Sequence, residues 1–323
     1  MTTAEFRRIA AIRERLARAR SDVRISIGDD AAVLEPTGHA QAMSVDVAIE
    51  DVHFRRSWAT WRELGRRAFV AAVSDLAAMA AEPRIALLSL VLPPAFDDAM
   101  LAELIDGVAD GASEYDSAIV GGNLAAGNQL SITTTVVGNL RAAPLERAGA
   151  AVREGIYVTG QVGAAALGLA LLGAGHDGTD ALERPFVTRW RRPTAQILTA
   201  RRLQGTASAA IDISDGLVQD LGHLCEASGV GARVFAAELP LLAGHDDVAR
   251  RLGLDPLMLA LTGGEDYELL FTAPISTVAK GVATLIGRIC DASEGVQVLG
   301  PDGNPVPVEH GGWDHFARSA SPD

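Results

Sequence analysis

Ile25-Ser26-Ile27-Gly28-Asp29-Asp30-Ala31-Ala32-Val33-Leu34 is followed, after a break at Pro36–Gly38, by Met43-Ser44-Val45-Asp46-Val47-Ala48-Ile49-Glu50-Asp51-Val52-His53-Phe54. Two apolar runs rich in Ile and Val, split by turn residues, predict neighbouring strands. Each run carries acids in its middle. An ionised carboxylate on a half-buried strand is costly unless it is paired or binds a metal. Asp30 and Asp46 are therefore candidate site residues; the plainer alternative is a set of turn aspartates facing water.

Upstream, Ala4 to Arg18 places Phe6, Ile9, Ile12 and Leu16 at near-helical spacing between arginines, an amphipathic helix. Downstream, Trp61 to Ala81 predicts a long, largely buried helix. Asp75 within it, in Ser74-Asp75-Leu76-Ala77-Ala78-Met79, is either the cap of a helix restarting after Ser74 or a ligand. Ile85 to Leu92 predicts a central strand, Phe96 to Tyr115 a helix, Ala118 to Asn123 a strand running into Gly121-Gly122, and Leu130 to Leu140 a further strand. The order β-β-α-β-α-β-β describes an α+β unit. The glycine pair either admits a ligand close to the backbone or makes a turn.

Pro144 to Arg153 reads as a connection, which divides the chain into residues 1–143 and 144–323. Gly155 to Gly160 predicts a strand and Ala164 to Leu172 a helix. Arg184 to Pro193, four arginines around Phe186 and Trp190, reads as a basic face or, in preference, as a packed ion-pair corner. In Ala209-Ala210-Ile211-Asp212-Ile213-Ser214-Asp215-Gly216-Leu217, Asp212 and Ser214 share one face of a strand and Asp215-Gly216 turns into a helix. Gly263-Gly264-Glu265-Asp266-Tyr267-Glu268-Leu269 again sets glycines and acids at a strand start. Ile275 to Ile289 reads as helical and Val296 to Leu299 as a strand.

Composition narrows the chemistry. A chain of 323 residues is long for one hydrophobic core, so two domains are expected. A net charge of −13 argues against nucleic acid as a partner. Lys280 is the sole lysine, so a phosphate loop of the Walker type, with its lysine, is absent. The two cysteines, Cys225 and Cys290, form neither a disulfide framework nor a zinc motif and fit a reducing, cytoplasmic setting. No apolar run reaches the roughly 18 residues of a membrane span. Asp30, Asp46, Asp75, Asp212 and Asp215 each lie at a strand end or in apolar surroundings beside Gly or Ser. Carboxylates of this kind suit Mg²⁺ bound jointly with substrate phosphates, and hence phosphoryl transfer.

Taken together, Gly28-Asp29-Asp30-Ala31-Ala32, Asp46 with Val52-His53-Phe54, Ser74-Asp75-Leu76-Ala77-Ala78-Met79, Asp212-Ile213-Ser214-Asp215-Gly216-Leu217 and Gly263-Gly264-Glu265-Asp266-Tyr267-Glu268-Leu269 resemble, in order, the motifs of the thiamine-monophosphate kinase family. The resemblance runs from about Phe6 to Phe316. It implies a two-domain architecture of the aminoimidazole-ribonucleotide-synthetase-like (PurM-like) type. The N-terminal domain would contribute to a dimeric β-barrel, the C-terminal domain would be α+β, and ATP would lie in a cleft between them. By the same resemblance Asp30, Ser44, Asp46, Asp75, Asp212 and Asp215 would hold Mg²⁺, with Asp30, Asp75 and Asp212 central to catalysis. Gly122, Asn123, Arg147 and Ser214 would contact ATP, and His53, Glu265 and Trp313 would meet thiamine monophosphate. A homodimer is implied. The chain departs from the family where Gly121-Gly122-Asn123-Leu124 replaces Gly-Gly-Asp-Thr, and where Val45, Ala72 and Arg153 replace Thr, Asn and Gly. Another ATP-using synthetase of the superfamily, or a nucleotide- or thiamine-phosphate-binding paralogue with weakened catalysis, stays open as an alternative.

Overall fold

The computed structural model describes residues 4–278, 281–309 and 311–313, so Lys280 and residues 314–316 lie outside the described residues. The chain divides into two compact units, Met1–Pro144 with Arg191–Gln204, and Leu145–Trp190 with Gly205–Asp323.

In the first unit α1 (Ala4–Leu16) precedes β1 (Val23–Ile25), β2 (Val33–Leu34), β3 (Ala40–Ile49), α2 (Trp61–Ala78), β4 (Glu82–Leu92), α3 (Asp98–Glu114), β5 (Ala118–Ala126) and β6 (Ser131–Leu140). The main sheet has the order β3-β6-β4-β5, with β6 antiparallel to both neighbours and β4 parallel to β5. β1 and β2 pair separately. Thr60 starts α2 with a capping box, accepting from the Glu63 N–H while the Glu63 carboxylate accepts from the Thr60 N–H. Phe69, Val70, Ala72, Val73 and Leu76 on α2 are fully buried, as are Leu104, Ile105 and Val108 on α3. The opposite face of the sheet alternates outward, with Met43, Val45, Val47 and Leu87 exposed.

Two expectations change here. Residues 25–34 are not one strand: β1 stops at Ile25 and β2 begins at Val33, leaving Asp29 and Asp30 exposed in the segment between them. The burial cost first argued for Asp30 therefore does not apply. Likewise β3 ends at Ile49, and residues 51–53 form a turn.

The second unit holds β7 (Gly155–Val158), α4 (Ala164–Gly173) and α5 (Arg184–Arg191); the chain then returns to the first unit for α6 (Ile197–Leu203), and the second unit resumes with β8 (Ala209–Asp212), α7 (Leu217–Ser228), β9 (Gly231–Phe235), α8 (His245–Arg251), α9 (Pro256–Thr262), β10 (Leu269–Ala273), β11 (Thr284–Cys290), β12 (Val296–Leu299) and β13 (Pro305–Val306). Seven strands run β13-β12-β9-β11-β7-β10-β8, antiparallel except where β12 meets β9. Ile156, Val158, Ile211, Ile213, Leu217, Leu221, Leu224 and Ile286 lie in its apolar core. The helix expected over residues 275–289 is instead a turn followed by β11, which is paired on both edges, with β7 and β9. Apolar residues at Leu285, Ile286 and Ile289 satisfy both periods, and the two open strand edges decide between them.

The β1–β2 segment is anchored by a buried cation. Arg84 on β4 is 1% exposed and donates from Nε to Asp22 Oδ2 at 2.7 Å, and from its terminal nitrogen to the carbonyls of Asp22 and Glu35. Hydrogen bonding to Arg20, then to Arg84, lowers the Asp22 pKa to about 2. A carboxylate depressed in the folded state contributes stability above its unfolded value and loses it as pH falls through the folded one. This contribution, about 2 kcal/mol, is thus complete above about pH 5 and fades towards pH 2. Asp22→Asn is expected to destabilise the protein by at least that amount at pH 7 in urea titrations, and to flatten the acid limb of the stability profile. Equal stability of variant and parent at pH 7 would contradict the anchoring role.

Candidate functional site

In the first unit the candidate oxygens gather where β3 faces α2. Ser44 and Asp46, two residues apart on β3, share a face by the pleat and are half-buried, between the exposed Met43, Val45 and Val47. The Ser44 hydroxyl donates to Asp75 Oδ2, and Asp46 Oδ1 accepts from the Val47 N–H at 2.7 Å. Asp75 is no cap: α2 runs unbroken from Trp61 through Ala78, so this half-buried carboxylate sits in a helix interior beside buried Ser74 and Leu76. A carboxylate there competes with the helix backbone and gains no capping bond, which favours the ligand alternative. His53 stands in the turn after β3, its Nδ1 accepting from the Ile49 N–H at 3.0 Å. That bond leaves the proton on Nε2 in the neutral ring. Asp30 donates its N–H to the Asp29 carboxylate. Gly122 and Asn123 are exposed on the edge strand β5. The glycine pair makes no turn; the strand continues through it, with a bulge where Leu87 pairs Gly121. A Cβ on Gly122 would lie 1.8 Å from the Leu88 carbonyl oxygen, so the missing side chain serves strand contact.

The second unit builds a tighter assembly around residues 213–216. Asp212 ends β8 and is 4% exposed, while Ser214, beyond the strand end, and Asp215 are half-buried. Asp220, in the first turn of α7 and 2% exposed, turns back on this loop. Its Oδ2 accepts from the N–H groups of Ser214 (3.0 Å), Asp215 (3.2 Å) and Gly216 (3.1 Å). Burial, then the Asp212 carboxylate, push the Asp220 pKa up to about 7, with the Gly216 amide opposing.

Two further segments attach to the same loop. The Glu265 and Tyr267 N–H groups donate to the carbonyls of Ser214 (2.8 Å) and Ile213 (2.9 Å), and both residues hold left-handed backbone angles (φ 68° and 52°). Left-handed angles at such residues cost energy and persist where surroundings enforce them. Trp190, fully buried on α5, donates its indole N–H to Glu265 Oε2 at 2.8 Å. Arg189 pairs with the buried Glu268, which also accepts from the Thr159 hydroxyl at 2.7 Å. The packed ion-pair reading of this segment holds at Arg189. Burial raises Asp266 to about 6, while the amides of Ala165 and Gly163 oppose this by donating to its carboxylate. On the other side Trp313, half-exposed, donates its N–H to the Asp215 carbonyl at 2.9 Å. Arg147 is exposed, its carbonyl accepting from Ser228 Oγ.

Sequence reasoning missed Asp220 and Trp190. The only signal for Asp220 was an acid four residues after Gly216 in an otherwise apolar helix start; Trp190 carried none beyond its bulk. Among the described residues no three His, Cys, Asp or Glu side chains converge closely enough to cage an ion. Magnesium does not need such a cage, since it keeps waters and takes one or two carboxylates plus substrate phosphates. The candidate residues offer hard oxygens: Ser44, Asp46 and Asp75 in one unit, Asp212 and Asp215 in the other. The repulsion that raises Asp220 is what a divalent cation would offset.

Residues 28–140 match the family model for AIR synthase related protein, N-terminal domain. Thiamine-monophosphate kinase of Escherichia coli K12 is 38% identical over 98% of this chain and 99% of its own length. This chain belongs to the thiamine-monophosphate kinase family. Solved structures agree: AaThiL complexed with AMPPCP and TMP is 35% identical with a TM-score of 0.81, covering 90% of this chain and 92% of its own. Thiamine-monophosphate kinase from Stenotrophomonas maltophilia K279a is 34% identical with a TM-score of 0.82, covering 95% and 99%. Among the described residues no helix is long and apolar enough to cross a membrane.

In this family member Asp220 is expected to hold the loop in place. Asp220→Ala strands three amides, that of Gly216 buried, and should cost about 2–4 kcal/mol in urea unfolding, with faster hydrogen exchange at residues 214–216. Asp220→Asn keeps an acceptor oxygen and should stay within about 1 kcal/mol of the parent. Unchanged exchange in the alanine variant would rule the carboxylate out as the organiser.

Proposed function

We propose that the protein transfers the γ-phosphoryl group of ATP directly to the phosphate of thiamine monophosphate, forming thiamine diphosphate. The observation that carries this reading is the full-length match to the kinase family, with the oxygen donors Ser44, Asp46, Asp75, Asp212 and Asp215 all present. The acceptor phosphate is already ionised at neutral pH, so no strong base is required. The barrier lies in bringing two anions together, and positioning and charge neutralisation lower it. Bound Mg²⁺ would supply that neutralisation. Asp75, oriented by the Ser44 hydroxyl, with Asp30, Asp46, Asp212 and Asp215, would hold the ions. Gly122, Asn123, Ser214 and Arg147 would contact ATP. His53, Glu265 and Trp313 would meet the thiamine moiety: the half-exposed indole offers its face to a cationic heterocycle, and Glu265, oriented by Trp190, offers an opposite charge.

The outward sheet face supports a homodimer. Met43 and Val45 are 70% and 62% exposed beside Val47 and Leu87, an apolar stripe that a second copy would cover, as a PurM-like barrel requires. Two free, buried thiols, Cys225 and Cys290, suit the cytoplasm.

Protein incubated with ATP, Mg²⁺ and thiamine monophosphate should form ADP and thiamine diphosphate in equal amounts by chromatography, and Asp75→Asn should lower kcat on the order of 100-fold or more. ATP binding without thiamine diphosphate at any Mg²⁺ concentration would refute the assignment. For the assembly, Val45→Glu should convert a dimer to a monomer in light scattering; a parent that is already monomeric would refute the barrel interface.

A further inference from the structure

The kinase reading leaves Gln219 without a role, yet its side chain joins two of the proposed binding elements. Gln219 is the third residue of α7, half-buried, between Val218 and the loop-organising Asp220. Its side-chain Nε2 donates to the Trp313 carbonyl at 2.7 Å. Its backbone N–H donates to the Gly311 carbonyl at 3.1 Å, and the Trp313 N–H donates to the Asp215 carbonyl at 2.9 Å. Residues 311–313 are thereby laid flat on the loop that carries Asp215. The approach is close enough that a Cβ on Gly312 would stand 2.3 Å from the Asp215 carbonyl oxygen. Two of these three bonds are backbone-only and tolerate any side chain. Of these three, the Gln219 amide bond is the one that depends on side-chain identity, and it acts at Trp313 itself.

We propose that Gln219 is a positioning residue for the thiamine end of the substrate: it fixes the backbone of Trp313 so that the indole presents its face in one orientation. The inference rests on the proposed substrate role of Trp313. An aromatic platform with a pinned backbone has lost its freedom before binding, so the ordering cost is not incurred when the ring arrives. The effect therefore falls on affinity for thiamine monophosphate. Affinity for ATP and the chemical step are untouched, because the backbone bonds and Asp220 still hold the Asp215 loop.

The test is a double-mutant cycle. Gln219→Leu keeps the bulk and removes the donor; Gln219→Glu keeps the shape and replaces the donor by an acceptor. Each should raise KM for thiamine monophosphate about fivefold, the scale of one lost hydrogen bond, with kcat and KM for ATP within twofold. In a Trp313→Ala background Gln219→Leu should add less than twofold, since nothing remains to be positioned. A purely structural role would lower thermal stability and kcat without that non-additivity. The same comparison is made by calorimetric Kd for thiamine monophosphate in the presence of Mg²⁺ and AMPPCP, which needs no turnover. Parent protein that binds thiamine monophosphate without converting it would sink the kinase reading and leave the Kd comparison decisive for Gln219. An unchanged KM and Kd in both single variants, additive effects in the cycle, or no binding by the parent would overturn the inference.

Discussion

One carboxylate oxygen, Oδ2 of Asp220, gathers three consecutive backbone N–H groups, and the second unit's candidate site is assembled on that gathering. Successive amides pointing at one acceptor fix residues 214–216 in a curled conformation that neither strand nor helix would give. Once the loop is curled, its carbonyls face outwards, and two further segments use them. Glu265 and Tyr267 bond to Ser214 and Ile213 from one side, and Trp313 bonds to Asp215 from the other. An acid buried this deeply beside Asp212 resists ionisation, which is why its pKa is pushed up to about 7. The three amides offset part of that burial and make the charge tolerable.

The first unit solves a different problem with the same economy. A sheet covered by helices on one face needs apolar residues on that side, yet β3 places Ser44 and Asp46 there. They are accommodated because Asp75 on α2 meets the Ser44 hydroxyl. Ser44 and Asp46 thus share one face of β3 by the pleat, and Asp75 meets the first of them. The alternate residues of β3 point to the other face, where Met43, Val45 and Val47 stay exposed. The two faces of one strand therefore serve two proposed purposes, ligand binding and self-association, and period-two alternation keeps them separate.

Much of this was legible in the residues themselves. The mixed α+β character, β3 with its acids, the helix over residues 61–78, β4 and the turn at Asp215-Gly216 follow from periodicity and turn chemistry. Asp75 was marked by its apolar neighbours, although only the unbroken helix removes the capping alternative. Residues 25–34 misled because Ile25, Ile27 and Val33 mimic a strand, whereas Gly28 takes φ 119° and Asp29–Asp30 face water. β11 misled because its apolar spacing suits helix and strand alike, and only long-range pairing with β7 and β9 chooses. Asp220 left only a faint local signal, an acid four residues after Gly216. The roles of Gln219 and Trp190 lie in partners 94 and 75 residues away, and a local window carries no trace of such bonds. Nor does anything local announce that Arg191–Gln204 packs with the first unit.

The central proposal is that Asp75 in the first unit and the Asp212–Asp215 loop in the second each bind a metal ion that accompanies ATP. Crystals grown with Mn²⁺, AMPPCP and thiamine monophosphate would test it most directly, through the anomalous scattering of the manganese. The account predicts Mn²⁺ bonded to Asp75 and to the Asp212–Asp215 loop, each ion also touching a phosphate oxygen. Nucleotide bound with manganese on its phosphates alone, and no density at these aspartates, would contradict it.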